Sequence, residues 1–68
     1  MAIKVILNGR EEALPEGITV SGLVSLKGIS PDTVIVEHNY SLLKKEDWSG
    51  VVLKEADRIE ILRFVGGG

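Results

Sequence analysis

The sequence of 68 residues predicts an α+β domain, in which a mixed sheet of four to five strands packs on one main helix. Several short segments alternate along their length with the period of a β-strand. A single segment, over about residues 20–27, has the apolar spacing of an amphipathic helix. Because one helix covers only one face of a sheet, the other face is expected to stay open.

The first two strands are expected to form a hairpin. Residues 2–8 alternate, with Ile3, Val5 and Leu7 on one side of the strand. Asn8-Gly9 follows, and this pair is a strong signal for a two-residue turn because both residues tolerate a positive φ. The second strand is expected over about residues 11–14, before the turn-forming Pro15-Glu16-Gly17.

The helix has recognisable start and stop signals. The hydroxyl of Thr19 can accept a hydrogen bond from the backbone N–H of Gly22, as an N-cap does. Gly28 fits the left-handed position that follows a helix. Gly22 costs the helix about 1 kcal/mol relative to alanine, so the helix is expected to depend on packing against the sheet. Its apolar face is formed by Val20, Leu23 and Val24.

The second half of the chain contains further short elements. The β-branched segment 33–38 predicts a strand, and residues 39–41 a turn. A short strand at 42–43, a single turn of helix within 44–48, an extended piece at 51–53 and a polar turn at 54–57 follow. The last strand is expected over 58–65. With the helix placed between the second and third strands, this order resembles the ubiquitin-like, or β-grasp, plan.

Composition excludes several classes of function. The chain has no cysteine, so it has no disulfide, no cysteine-bound zinc and no cysteine nucleophile. In so small a chain this predicts a reducing, cytoplasmic setting. The net charge of -2 comes from interspersed charges without a basic block, so nucleic acid is not an expected partner. No apolar run approaches the roughly 20 residues of a membrane span, so no membrane is expected either.

An ordinary active site is not expected. His38 is the only histidine, and a single histidine at the end of a strand usually lies at the surface or in a packing position. The carboxylates are interspersed with lysines and arginines, as on a solvated surface. We therefore predict no catalytic side chain and no metal site.

The unusual feature is the ending, in which Phe64-Val65 runs into Gly66, Gly67 and Gly68. We predict a domain over 1–65 followed by a flexible glycine tail over 66–68. Three extended residues reach about 10 Å, and without side chains they can thread a narrow channel in a partner enzyme. The alternative is a frayed terminus without a function.

The last strand is also expected to supply a docking surface. If Ile59 and Ile61 face the helix, Leu62 and Phe64 lie on the open face of the sheet. The first and last strands are neighbours in a β-grasp sheet, so Ile6 is expected to join them. An exposed apolar patch of this kind usually marks a partner site. The alternative is that the register is shifted by one residue, which would exchange the two faces.

The whole sequence resembles the ThiS/MoaD family of ubiquitin-like proteins, and within it the ThiS sulfur carriers of thiamine biosynthesis. The resemblance is carried by Asn8-Gly9, by GITVSGLV, by VIVEHN before KKEDW, and by the ending EADRIEILRFVGGG. The ending is its most specific part, although a terminal Gly-Gly alone occurs in other ubiquitin-like proteins.

The resemblance implies a specific chemistry. The carboxylate of Gly68 would be adenylated with ATP by a ThiF-like adenylyltransferase, and a sulfur donor protein would convert it to a thiocarboxylate. A ThiG-like thiazole synthase would then take the sulfur, while Gly66 and Gly67 thread the partner's active site. The chain would be a protein co-substrate that binds no cofactor itself.

Two alternatives remain open at this point. The chain could be the small sulfur-carrier subunit of molybdopterin synthase, which uses the same terminal chemistry. It could also be a ubiquitin-like interaction module that is never conjugated. Within the carrier hypothesis, the chain ends in three glycines instead of the usual two, with Gly66 as the additional one. If the third glycine is not native, the reactive carboxylate belongs to Gly67.

Overall fold

The computed structural model of the chain describes residues 1–64. These residues form five strands and one α-helix, together with 3₁₀ turns at Pro31–Thr33 and Lys45–Gly50. The predicted α+β architecture, a mixed sheet beside one main helix, is confirmed. In chain order the elements are β1 Ala2–Leu7, β2 Arg10–Pro15, α1 Val20–Leu26, β3 Val34–His38, β4 Ser41–Leu43 and β5 Arg58–Arg63.

The strands form one sheet in the order β2-β1-β5-β3-β4. The first and last strands lie side by side and are parallel, whereas all other neighbours are antiparallel. The connection from β2 through α1 to β3 therefore crosses the two central strands. This crossover places the helix over one face of the sheet and leaves the opposite face uncovered.

Two tight turns set the register of the outer strands. Asn8 and Gly9 have φ values of 50° and 82° and join Leu7 to its partner Arg10, as the sequence predicted. The turn between β3 and β4 has the same form, with Asn39 and Tyr40 at φ values of 50° and 72°. A tyrosine at such a position is uncommon, and the sequence indicated only that the chain turns here.

The helix begins with the predicted cap, because the Gly22 amide donates to the Thr19 hydroxyl over 2.9 Å. It ends at Leu26, one residue before the predicted end, and Gly28 follows with a φ of 68°. A Cβ atom on Gly22 would lie 3.1 Å from Cγ1 of Ile18 and 3.3 Å from Oγ1 of Thr19. The side chains that precede the helix thus occupy the space that alanine would need.

The core lies between α1 and the covered face of the sheet. Trp48 closes one edge of it, is 3% exposed, and donates from its indole nitrogen to the Leu43 carbonyl over 3.1 Å. The predicted extended piece at 51–53 makes only a single bridge, between Val52 and Thr19. The other buried residues of the core are Val5, Leu14, Val20, Leu23, Val24, Val34, Val36, Leu53 and Ile59.

The last strand is shorter than predicted. β5 ends at Arg63, and the amide of Phe64 still donates to the Thr33 carbonyl over 2.8 Å. Residues 65–68 lie outside the described part of the chain, so the predicted division between residues 65 and 66 stays a prediction.

Candidate docking face and glycine tail

The two faces of β5 differ in burial as the alternation predicted. Ile59 is fully buried and Ile61 packs partly against the core, so both face the helix. Leu62 and Phe64 lie on the other face and are 42% and 55% exposed. The predicted assignment of the two faces of this strand is therefore confirmed, and an apolar surface remains on the open face.

Two further residues, for which the sequence predicted no docking role, share this surface. Ile35 of β3 lies directly opposite Leu62 in the antiparallel register. Ile35, Leu42 and Phe64 also line a shallow concavity of about 250 Å³, and Leu42 is 65% exposed. We refer to Ile35, Leu42, Leu62 and Phe64 as the open-face patch.

Ile6 lies on the same face but away from this patch. It is half-buried and pairs with Arg58, at the start of β5. Leu62 is four residues further along β5, which is about 13 Å at about 3.3 Å per residue. The structure therefore brings Leu62 and Phe64 together but does not bring Ile6 beside them. A docking role for any of the three stays a prediction.

Acidic side chains separate Ile6 from the open-face patch. Glu37 of β3 and Glu60 of β5 lie directly opposite each other in the register, with Glu60 between Arg58 and Leu62 along the strand. Like charges at such positions repel each other and weaken the sheet slightly. The open face thus combines an apolar end, near the end of β5, with an acidic pair at its middle.

The single histidine lies at the other end of β5. Nε2 of His38 is 2.9 Å from Oδ2 of Asp57, and Asn39 Nδ2 donates to Oδ1 of the same carboxylate over 3.2 Å. The backbone amide of Lys54 also donates to Asp57, over 2.9 Å. These contacts join the β3–β4 turn to the turn before β5, so the cluster has a structural role.

The pKa of Asp57 reflects two opposing effects. Partial burial raises the pKa of this carboxyl, because burial disfavours its charged form. Hydrogen bonds from His38, the Lys54 amide and Asn39, together with the charge of His38, favour the charged form. They outweigh burial and hold the pKa of Asp57 below its ordinary value of 3.8.

The described part of the chain offers little for other chemistry. Within residues 1–64, no group of three or more acidic or histidine side chains is placed to hold a metal ion. The same residues include no helix with the length and apolar character needed to cross a membrane. Gly66, Gly67 and Gly68, the residues expected to react or to thread a partner, lie outside the described residues.

Comparisons with known proteins agree on one family. The model of the ThiS family matches residues 3–68. The sulfur carrier protein ThiS of Bacillus subtilis is 36% identical over 63 residues, which cover 91% of this chain and 96% of that protein. The crystal structure of the thiamine biosynthesis protein ThiS from Geobacter metallireducens superposes with a TM-score of 0.84 at 32% identity, covering 97% of this chain and 100% of that chain.

A second group of relatives is much longer. The thiazole synthase of Magnetococcus marinus is 38% identical over 66 residues, which cover 97% of this chain but 20% of that protein. The chain therefore spans about a fifth of the length of the thiazole synthases that it matches. A domain similar to this chain is thus part of those longer proteins. With a family model that matches nearly every residue and a solved ThiS structure that shares its fold, the chain belongs to the ThiS family.

Proposed function

We propose that this chain is a sulfur carrier protein of thiamine biosynthesis and that the Gly68 carboxylate carries the sulfur. The observation that supports this most strongly is the family match over residues 3–68, which extends through the terminal glycines. The relative from Bacillus subtilis, named as a sulfur carrier protein, has nearly the same length as the matched region. In this role the chain is a co-substrate of its partner enzymes and performs no catalysis itself.

The chemistry follows from the low reactivity of a carboxylate. Attack of one Gly68 oxygen on the α-phosphate of ATP forms an acyl adenylate and releases pyrophosphate. A sulfur nucleophile at the sulfide oxidation level then displaces AMP and leaves a thiocarboxylate. The sulfur is held on the main chain, which is consistent with a carrier that contains no cysteine. ATP in this scheme is bound by the adenylating partner.

The fold would contribute a platform for the tail. Arg63 is the last residue of β5, and four residues beyond Phe64 span at most about 14 Å. Ordering a segment costs about 1–2 kcal/mol per residue, so binding energy has to come from the folded domain. We propose that the open-face patch supplies it, because this exposed apolar surface lies beside the end of β5.

Three partners complete the proposal: a ThiF-like adenylyltransferase, a sulfur donor protein and a ThiG-like thiazole synthase. The thiazole synthases in which a similar domain is part of the same protein support the last of these. Carrier and synthase domains within one protein are expected to meet at high effective concentration.

Intact-mass measurement tests the proposed function. The chain is incubated with ATP, an adenylating enzyme and a sulfide source, and a known ThiS protein is the positive control. We expect a mass gain equal to the replacement of one oxygen by sulfur, and no gain when ATP is omitted. The proposal fails if the control protein is modified while this chain keeps its original mass.

A further inference from the structure

A second concave surface lies on the helix side of the sheet, where β5 ends. It is a groove of about 530 Å³ that the proposed sulfur chemistry does not use. Its floor is apolar and its rim carries three basic side chains. We refer to it as the basic groove, and its lining is Leu7, Asn8, Arg10, Lys27, Ile29, Val34, Ile61 and Arg63.

The alternation of the strands explains why the basic residues meet here. Arg10 is four residues from the buried Leu14 in β2, and Arg63 is four residues from the buried Ile59 in β5. Residues separated by an even number lie on the same face of a strand, so both arginines point to the helix side. Lys27 is the C-cap residue of α1 and approaches from that side.

The charge of the groove is opposite to that of the whole chain. Among residues 1–64, none of the side chains that line it is acidic. Lys27 is paired with Glu12, but neither Arg10 nor Arg63 forms an ion pair within the described residues. Three of the eight basic residues therefore surround one groove in a chain whose net charge is -2.

The floor indicates what kind of ligand would fit between these charges. Leu7, Ile29 and Ile61 are only partly buried and leave an apolar surface at the bottom of the groove. Carboxylates would pair with the arginines, whereas a neighbouring apolar side chain would cover this floor. Exposed ion pairs contribute little individually, so the apolar contact matters for affinity.

We propose that the basic groove docks an acidic segment of the adenylating enzyme that receives the glycine tail, one with carboxylates on either side of an apolar side chain. This inference rests on the proposed function, because Arg63 ends the strand that leads to the tail. An enzyme that accepts the tail has to approach this rim. Complementary charge there would raise the association rate and fix the orientation of docking.

An NMR titration tests the groove without any partner enzyme. The full chain, labelled with ¹⁵N, is titrated with a capped peptide in which one leucine is flanked by pairs of glutamates. We expect shift changes concentrated at the amides of Asn8, Lys27 and Ile61. Equal changes around Lys44 and Lys54, or no saturable changes, would overturn the proposal. Saturation of the same amides by inorganic phosphate alone would also overturn it, by indicating a simple anion site.

Charge-reversal variants provide the matched comparison. Arg10→Glu and Arg63→Glu are each expected to weaken peptide binding by about three- to tenfold. Lys54→Glu makes the same change of charge at an exposed position away from the groove and should leave binding unchanged. Equal weakening by all three variants would mean that only the net charge matters, and would overturn the proposal.

The same variants separate this inference from the proposed function. In the mass assay, Arg10→Glu and Arg63→Glu should raise the KM of the adenylating enzyme for the chain while kcat stays unchanged. Added salt should reduce the difference from wild type. A wild-type chain that gains no sulfur contradicts the proposed function, whereas a modified chain with unchanged KM in both variants contradicts only the basic groove.

Discussion

At the scale of single residues, Asp57 stabilises the end of the sheet where β5 begins. Its carboxylate accepts hydrogen bonds from two side chains and from one backbone amide. Because the folded state lowers its pKa, the stabilisation is present above the unfolded pKa of about 3.8 and is lost as the pH falls through the lower folded value.

Asp57→Asn is therefore expected to lower the free energy of unfolding by about 1 kcal/mol at pH 7. The difference from wild type should shrink as the pH falls below 3.8, because the carboxyl is protonated first in the unfolded chain and then, at its lower pKa, in the folded chain. Urea denaturation at pH 7 and at pH 3 measures this difference in the free energy of unfolding. Asp47→Asn, at an exposed position, is the control. A difference that stays constant between the two pH values would contradict this account of Asp57.

Gly22 is a residue whose role depends on its neighbours. In most helices, replacing an interior glycine with alanine stabilises the protein by about 1 kcal/mol. Here Ile18 and Thr19 occupy the position of the new methyl group, at 3.1 and 3.3 Å. Gly22→Ala is therefore expected to lower the melting temperature, or at best to leave it unchanged.

Thermal denaturation measures the effect of Gly22→Ala. Ser25→Ala in the same helix is the control, because Ser25 is exposed and alanine has the higher helix propensity. The control should raise the melting temperature slightly. A clear rise in the melting temperature for Gly22→Ala would contradict this prediction. It would mean that the side chains of Ile18 and Thr19 can move to accommodate the methyl group without loss of the cap.

At the scale of elements, β5 connects the core to the proposed docking face. Ile59 and Ile61 fix the strand to the helix side, and Leu62 and Phe64 remain on the open face. Because Phe64 is 55% exposed, its replacement should affect partner binding more than folding. Because side chains alternate along β5, those on one face stabilise the core and those on the other face remain available for binding.

Phe64→Asp is expected to raise the KM for modification of the chain by an adenylating enzyme about tenfold or more. Loss of an aromatic side chain that becomes buried in an interface commonly weakens binding by this amount. The melting temperature should change little. Tyr40→Asp is the control, since Tyr40 is a 79% exposed aromatic at the β3–β4 turn, away from the patch. A large fall in melting temperature for Phe64→Asp would place Phe64 in the core, and an unchanged KM would exclude it from docking.

At the scale of the whole molecule, the end of the sheet where β5 finishes has two different surfaces. The open side carries the apolar patch, and the helix side carries the basic groove. Both lie beside the end of the described chain. A partner that contacts both surfaces would fix the orientation of the domain by apolar contacts on one face and by ion pairs on the other.

The sequence predicted the local elements of this molecule better than its long-range neighbours. The Asn8-Gly9 turn and the Thr19 cap depend on residues a few positions apart, and both are confirmed. The open-face patch depends on strand order and register. Ile35 lies between two other apolar residues, so the sequence does not indicate which face of the sheet it occupies. Ile6 pairs with Arg58, which precedes Leu62 by four residues along β5. Such placements follow only from the assembled sheet.

The basic groove was not predicted for the same reason. Arg10, Lys27 and Arg63 come from three separate elements, and their charges are isolated along the chain. A count of charge or a search for a basic block does not reveal them. The alternation of side chains along β2 and β5 is enough to place both arginines on the helix side. That they lie near each other follows only from the strand order β2-β1-β5.

The central claim is that the sulfur resides on the carboxylate of Gly68. Its most direct test is fragmentation mass spectrometry of the chain after incubation with ATP, an adenylating enzyme and a sulfide source. We predict that the added sulfur is found only in fragments that contain Gly68, and that a chain lacking Gly67-Gly68 gains none. Sulfur located on any other residue, or gained equally by the shortened chain, would contradict the claim.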